Sequence, residues 1–239
     1  MSPAIDLPTA WDATGHSGLL GGAVMVYIVD VAPEDEGLLE AWYTHEHLPE
    51  RVSTPGFLRG RRYRQRDRSA AGQHLTLYEV VDVGVFTSAE YLRRLQSPTE
   101  LTRAAVAAFV EPQRAVLDVA LSHGATSGSE LSVLRAPADP AVVDRTRRIL
   151  PDLFTDRDLT GVHVAATDVA ATSAKASTAE GKGAAEGEAK QELLVLVEGT
   201  GGTHRAARAI AQECDVDQPV QSYDLLVTLD HHAIRPGDA

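Results

Sequence analysis

Trp42-Tyr43-Thr44-His45-Glu46-His47-Leu48-Pro49, followed at Pro55-Gly56-Phe57 by a turn, gathers two imidazoles, two aromatic rings and a carboxylate in one short stretch. Imidazole is the side chain whose ordinary pKa suits proton transfer near neutrality. Aromatic neighbours supply apolar walls and, in tyrosine, a hydroxyl that can orient or protonate a substrate oxygen. On a helix, residues three or four apart share a face, so Tyr43 and His47 align, with Glu50 or Arg51 one turn on, while His45 and His47 diverge. The His-x-His pair is therefore a poor chelate unless the helix unwinds, and no metal is expected. Leu39 stands one turn before Tyr43, which turns that stripe inward and leaves His45 at the surface or rim. His47 is the first candidate for a general acid/base, with Tyr43 beside it.

Further candidates sit on neighbouring strands. His74, Thr76 and Tyr78 alternate along one strand and share a face. Tyr27 lies on the first strand and Tyr63 on the second. Facing a helical layer, these side chains would join His47 around one pocket, where Tyr43, His74 and Tyr78 orient or protonate the substrate oxygen. Facing the other way, they would form an interface between the two halves of the chain. Trp42, Tyr27, Arg62 and Tyr63 are candidate substrate contacts, and Arg62 can bind an anionic or carbonyl oxygen. The competing reading of Arg62 is a solvated stripe, because Arg59, Arg61, Arg62, Arg64, Arg66 and Arg68 crowd one strand whose even and odd positions face opposite ways.

The elements that position these residues follow from the sequence pattern. Residues 1–22 read as a loose arm. Gly22 to Val31 is β-branched and reads as a strand. Pro33-Glu-Asp-Glu36 opens a helix that should run to about Leu48, because Pro49 cannot donate to the carbonyl of His45. Phe57 to Arg66 and Gln73 to Val81 are strands. Thr87-Ser-Ala-Glu90 and Ser97-Pro-Thr-Glu100 are capping-box patterns, and Arg114 to Leu121 is a fourth strand. The order β-α-β-β-α-β is the ferredoxin-like unit.

It recurs in the second half: strands at Glu130 to Leu134, Thr160 to Val169, Glu192 to Glu198 and Val220 to Leu229, and helices at Asp139 to Leu150 and Thr203 to Glu213. Residues 171–190 are almost wholly Ala, Ser, Thr, Gly, Glu and Lys and read as a mobile hairpin extension. The expected fold is α+β: two tandem ferredoxin-like units, 23–122 with the site and 129–230 without it, packed sheet to sheet as a pseudo-dimeric α/β barrel, with a tail at 231–239. Laying Leu48-Pro49 on Leu150-Pro151 sets Ile149 opposite His47, which marks His47 as inward-facing.

Trp42-Tyr43-x-x-x-His47-Leu48-Pro49 with Pro55-Gly56-Phe57 and Arg61-Arg62-Tyr63 resembles the dimeric α/β-barrel superfamily, most of all its EthD-like branch. The resemblance covers Val24 to Val119; beyond Ser129 only the element order supports it. It implies a pocket between sheet and helices and carries the family's histidine onto His47 alone. The superfamily includes cofactor-free cyclases, isomerases, monooxygenases and heme-binding members, so the resemblance implies fold more firmly than reaction. The leading expectation is a small-molecule lyase, isomerase or cyclase working on a carbonyl-containing metabolite through His47, without a cofactor. The alternatives are a heme-linked or cofactor-free monooxygenase, with His47 or His74 as axial ligand, and a non-catalytic ligand-binding or structural protein.

The remaining features exclude more than they assign. The chain has 239 residues, 44% hydrophobic, with a net charge of -12, which disfavours nucleic acid. A single cysteine, Cys214, permits no internal disulfide and fits a reducing cytoplasm. No stretch reads as a signal peptide or a membrane span. Gly199-Thr-Gly-Gly-Thr-His204 lacks the lysine of a P-loop and reads as a Gly-rich turn with Thr203 as helix cap. The expected partner is a small-molecule substrate, with a homodimer of the chain possible.

Overall fold

The computed structural model describes residues 18–69, 71–183 and 188–233. Eight antiparallel strands close into a barrel in the order β1-β3-β2-β8-β5-β7-β6-β4. They are β1 (Ala23–Asp30), β2 (Phe57–Gln65), β3 (His74–Val80), β4 (Val110–Gly124), β5 (Glu130–Pro137), β6 (Leu159–Thr167), β7 (Glu192–Gly199) and β8 (Val220–Asp230). The first four strands make a sheet in the order β4-β1-β3-β2, and the last four make one in the order β8-β5-β7-β6. The two sheets join edge to edge, β2 to β8 and β4 to β6, so no free sheet edge remains where they meet.

Period-two alternation decides what each strand buries. Val24, Val26 and Ile28 of β1 meet Leu75, Leu77, Leu131, Val133, Leu194 and Leu196 in the barrel lumen. The opposite face of the first sheet, carrying Met25, Tyr78 and Val116, packs under the helices. Those helices are α1 (Glu36–Trp42), a π turn (Tyr43–His47), α2 (Leu48–Val52), α3 (Ala89–Leu95) and α4 (Glu100–Ala107). Over the second sheet, α5 (Pro140–Leu153) and α8 (Thr203–Glu213) bury Val142, Leu150, Ala207 and Ile210 against Val162, Val164, Val195 and Val197. Among the described residues no helix is long and apolar enough to cross a membrane.

Close packing fixes the seat of the first helical layer. A Cβ at Gly60 would stand 2.6 Å from Leu48 Cδ1 and 2.9 Å from Val52 Cγ2. Gly60→Ala is therefore expected to lift α2 from β2 and cost about 1–3 kcal/mol, read as a lower thermal midpoint with the far-ultraviolet spectrum retained.

Several expectations need correction. The arginine run does split into two faces, but Arg61 and Arg62, each 1% exposed, are not solvated. Arg61 points into the lumen, where it pairs with Glu198 at 2.6 and 2.8 Å, and Arg62 points to the helices, where it forks onto Glu40 at 3.0 and 2.9 Å. The arm is not loose throughout: Leu19 is buried in the lumen core, and Leu20 N–H donates to Glu79 at 2.9 Å. Residues 1–17 lie outside the described residues.

The segment after β6 is not a bare hairpin extension over 169–183. It forms α6 (Val169–Ala174), a short 3-10 turn (Lys175–Ser177) and α7 (Ala179–Gly183), with Ala171, Thr172, Lys175 and Glu180 buried against the first half. Asp168 caps α6 by accepting from Ala171 N–H at 2.8 Å. The caps of α3 and α4 are Ser88 and Thr99, not Thr87 and Ser97. Thr203 does not cap α8. Gly202 occupies that position with φ 69°, where its lack of a Cβ is needed, and Thr203 Oγ1 instead meets Ser132 and Glu130.

Candidate functional site

The helix bearing His47 does not end at Leu48. It passes through the π turn at Tyr43–His47 and continues to Val52. Leu48 N–H reaches back five residues to the carbonyl of Tyr43, and the widened turn absorbs the missing N–H of Pro49. The same turn changes which side chains meet. Trp42 and His47, five apart and divergent on a regular helix, stack with centroids 4.1 Å apart. Tyr43 stands edge-on to His47 at 5.5 Å, as the sequence spacing requires. Trp42 Nε1 is anchored by Thr102 Oγ1 of α4 at 3.0 Å.

His74, Thr76 and Tyr78 face the helical layer and not the barrel lumen. The Tyr78 ring lies 6.4 Å from His47. Arg62 reaches the same space from β2, its guanidinium 4.4 Å above the Tyr43 ring. Tyr27 joins from β1, with Lys175 Nζ 4.9 Å over its ring and Phe109 at 5.8 Å. Tyr63 does not join them: one residue after Arg62 on β2, it points the other way into the barrel lumen. His45 is exposed on the outer side of the helix.

The roof of this space comes from the far half of the chain. Glu180 of α7 pairs with Arg51 of α2, and Lys175 Nζ lies 3.2 Å from the same carboxylate. His47 is 7% exposed and Tyr78 1%. Among the described residues His47 Nδ1, His74 Nδ1 and the Tyr78 hydroxyl are buried without a hydrogen-bond partner, an arrangement that costs free energy unless something else pairs with them.

Electrostatics sort these groups by protonation state. Burial holds the His47 pKa well below the ordinary imidazole value, and the charges of Arg51, Lys175 and Arg62 add to this against the pull of Glu180. His74 is pushed down to about 4, by burial first and then by Arg64. Burial, with the neighbouring Tyr43, pushes the Tyr78 phenol well above its ordinary value. The neutral His47 imidazole thus stands beside a phenol that keeps its proton, which suits a base paired with a hydrogen-bond donor.

Sequence reasoning missed Glu180 and Lys175, which lie in a segment without hydrophobic pattern. It aligned His47 with Ile149, but the extra residue of the π turn offsets the two helices. In α5 the buried positions are Val142, Thr146 and Leu150, and none carries an imidazole. The cavity of about 500 Å³ at the edge of β4 has no histidine in its lining. Among the described residues no group of three or more His, Cys, Asp or Glu is placed to hold a metal ion.

A closed antiparallel eight-strand barrel with helices on its outer faces is the fold this chain shares with several solved structures. Among solved structures, an anthrone oxidase-like protein superposes with a TM-score of 0.57, covering 87% of this chain and 92% of its own at 11% identity. A provisionally assigned monooxygenase from Lactobacillus acidophilus NCFM gives 0.52 over 87% and 96% at 9% identity. A chlorite dismutase variant from Candidatus Nitrospira defluvii gives 0.52 over 87% and 92% at 10% identity. No family model matches the sequence, and no curated protein matches it. At these identities the likeness defines the fold.

Proposed function

We propose that the chain is a small-molecule enzyme of the EthD-like type in which His47 acts as a general base. The observation that carries this reading is the pair of buried, unpartnered polar atoms, His47 Nδ1 and the Tyr78 hydroxyl, on rings 6.4 Å apart. The neutral imidazole takes a proton from carbon made acidic by conjugation with a substrate carbonyl, and the Tyr78 hydroxyl donates to the oxygen on which charge develops. Tyr43 orients that oxygen, while His74, Trp42, Tyr27 and Arg62 hold the substrate body. Cyclisation, isomerisation and elimination all share this first step, which needs no dissociable cofactor. The recurrent strand order, β4-β1-β3-β2 and β8-β5-β7-β6, supports an internal duplication of ferredoxin-like units in which only the first keeps the chemistry. A small-molecule substrate is the proposed partner.

Deuterium uptake from heavy water into a tricyclic aromatic ketone such as anthrone, followed by mass spectrometry, reads the proton-transfer step directly. Anthrone is chosen because a structural neighbour carries that name and the rings of Trp42, Tyr43 and Tyr78 surround His47. His47→Gln is expected to slow catalysed uptake by roughly 10²–10⁴-fold, with the thermal midpoint retained. Equal uptake by wild type and a folded His47→Gln protein removes His47 as base.

One observation favours a second reading, a non-catalytic ligand-binding or structural role: His47 is roofed by α6 and α7 and is 7% exposed. Catalysed exchange by the wild-type chain excludes it. Monooxygenase chemistry has its support in the names of the structural neighbours alone.

A further inference from the structure

The barrel wall is incomplete beside β4. Pairing of β4 with β6 begins at Leu117↔Thr167 and runs toward Gly124↔Gly161, because the chain leaves β6 after Thr167 to enter α6. The 110–115 stretch of β4 thus keeps β1 on one side and has no β6 strand on the other. The cavity of about 500 Å³ sits at this gap, within the range of small-ligand sites. Its walls come from both faces of the sheet: Val26, Ala115 and Leu194 from the lumen and Arg114 from the helix side.

Arg114 is the unusual member. It is 8% exposed, yet among the described residues no carboxylate reaches its guanidinium. Nη1 donates to the carbonyls of Ala171 and Thr172, Nε lies 3.2 Å from Met25 Sδ, and the Phe86 ring is 5.8 Å away. Nη2 is buried with no partner among the described residues. The other charges of the cavity do not supply the anion. Glu192 is held by Arg135, and Glu111, Glu188 and Lys190 are exposed at the mouth. A buried guanidinium without a counter-charge is costly, and its planar fork matches a carboxylate.

We propose that this cavity is a binding site for a small organic carboxylate, its head on Arg114 and its apolar body between Val26, Ala115 and Leu194. The site stands apart from His47 and does not rest on the reading of His47 as a base. Because Arg114 also holds the first turn of α6, occupancy would tighten the attachment of that helix to β4.

Calorimetric titration of the full chain with phenylbutyrate and octanoate, each beside its primary amide, and with inorganic phosphate tests the site. At least one acid is expected to bind about tenfold tighter than its amide. Arg114→Gln is expected to erase that preference and leave the amide unchanged. Ala115→Leu, which fills the apolar arm, is expected to weaken acid and amide alike. Equal affinity of acid and amide in the wild type, no binding of either acid, or a preference that survives Arg114→Gln overturns the proposal. So does inorganic phosphate binding as tightly as the acids, which marks a site for free anions only. If Arg114→Gln does not fold, the wild-type ratio and Ala115→Leu decide the matter.

Discussion

Glu198→Ala is expected to lower stability by about 3–5 kcal/mol, since it removes one partner of a buried ion pair and leaves the other unmatched. Arg61, from the first half, forks onto Glu198, from the second, at 2.6 and 2.8 Å inside the lumen. Its other carboxylate, Glu79 at 3.0 Å, is already engaged by Arg59 at 2.8 Å. Without Glu198 the lumen holds one guanidinium too many, out of reach of water. For a chain of this length the thermal midpoint should fall by roughly 6–20 °C. The double variant Arg61→Leu/Glu198→Leu leaves Arg59 and Glu79 balanced and should recover most of the loss, because apolar replacement of a whole buried pair is often neutral. An unchanged midpoint in the single variant would falsify the idea that this pair fastens the two halves.

Acid should undo the same fastening only at very low pH. Burial alone would raise the Glu198 carboxyl, but Arg61 and His163 outweigh it and hold it far below the ordinary carboxylate range. Its stabilising contribution is complete above the unfolded carboxylate value near ~4.3. It fades only as the pH falls through the lower folded value.

Glu180→Gln should act more locally. Glu180 is the shared carboxylate of Arg51 and Lys175, and all three are buried. Loss of its charge leaves two cations facing each other under α7. Amide exchange across 169–183 is expected to quicken by about 10²-fold, as local opening becomes cheaper by a few kcal/mol, while the barrel strands keep their protection. Mass spectrometry of peptides from that segment measures this, and identical exchange in variant and wild type would show that the ion cluster does not hold the roof.

The pH dependence has the same sign for both titrating groups. Glu180 is brought down to about 2, because Arg51 and Lys175 together overcome the opposing effect of burial. Its contribution is present above the unfolded value near ~4.3 and is lost as the pH falls toward the folded one. His47 also lies below its unfolded value near ~6.5. The unfolded imidazole therefore gains a proton that the folded one resists, and stability declines as the pH falls below that value. The roof should loosen on acidification, beginning with the histidine, and should not respond to mild alkali.

What the sequence makes legible is local. β-Branched alternation, Asp139 as a cap and the proline turns place the strands and most helices, and the shared face of Tyr43 and His47 marks the site. What it hides depends on partners distant in the chain. Arg61 and Arg62 look alike among six neighbouring arginines until Glu198 and Glu40 are brought to opposite faces of β2. Residues 169–183 lack apolar pattern because part of their anchoring is ionic and lies in the other half, at Arg51 and Arg114. Pro49 reads as a stop, yet the helix, widened by a π turn just before it, carries the chain past. Chemistry alone groups Tyr63 with the residues around His47, while its parity with Arg62 sets it on the lumen face of β2.

The roof over His47 also decides how fast anything can arrive there. On the proposed reading, a ligand bound at His47, 7% exposed, requires the Lys175–Glu180 stretch to part from Arg51 of α2 first. Arrival at this site is then a two-stage event whose speed is set at saturation by the frequency of opening rather than by ligand concentration. Affinity in turn is discounted by the small fraction of time the site stands open. Residues that never touch a ligand, Glu180 foremost, would thereby set both the pace and the apparent strength of binding.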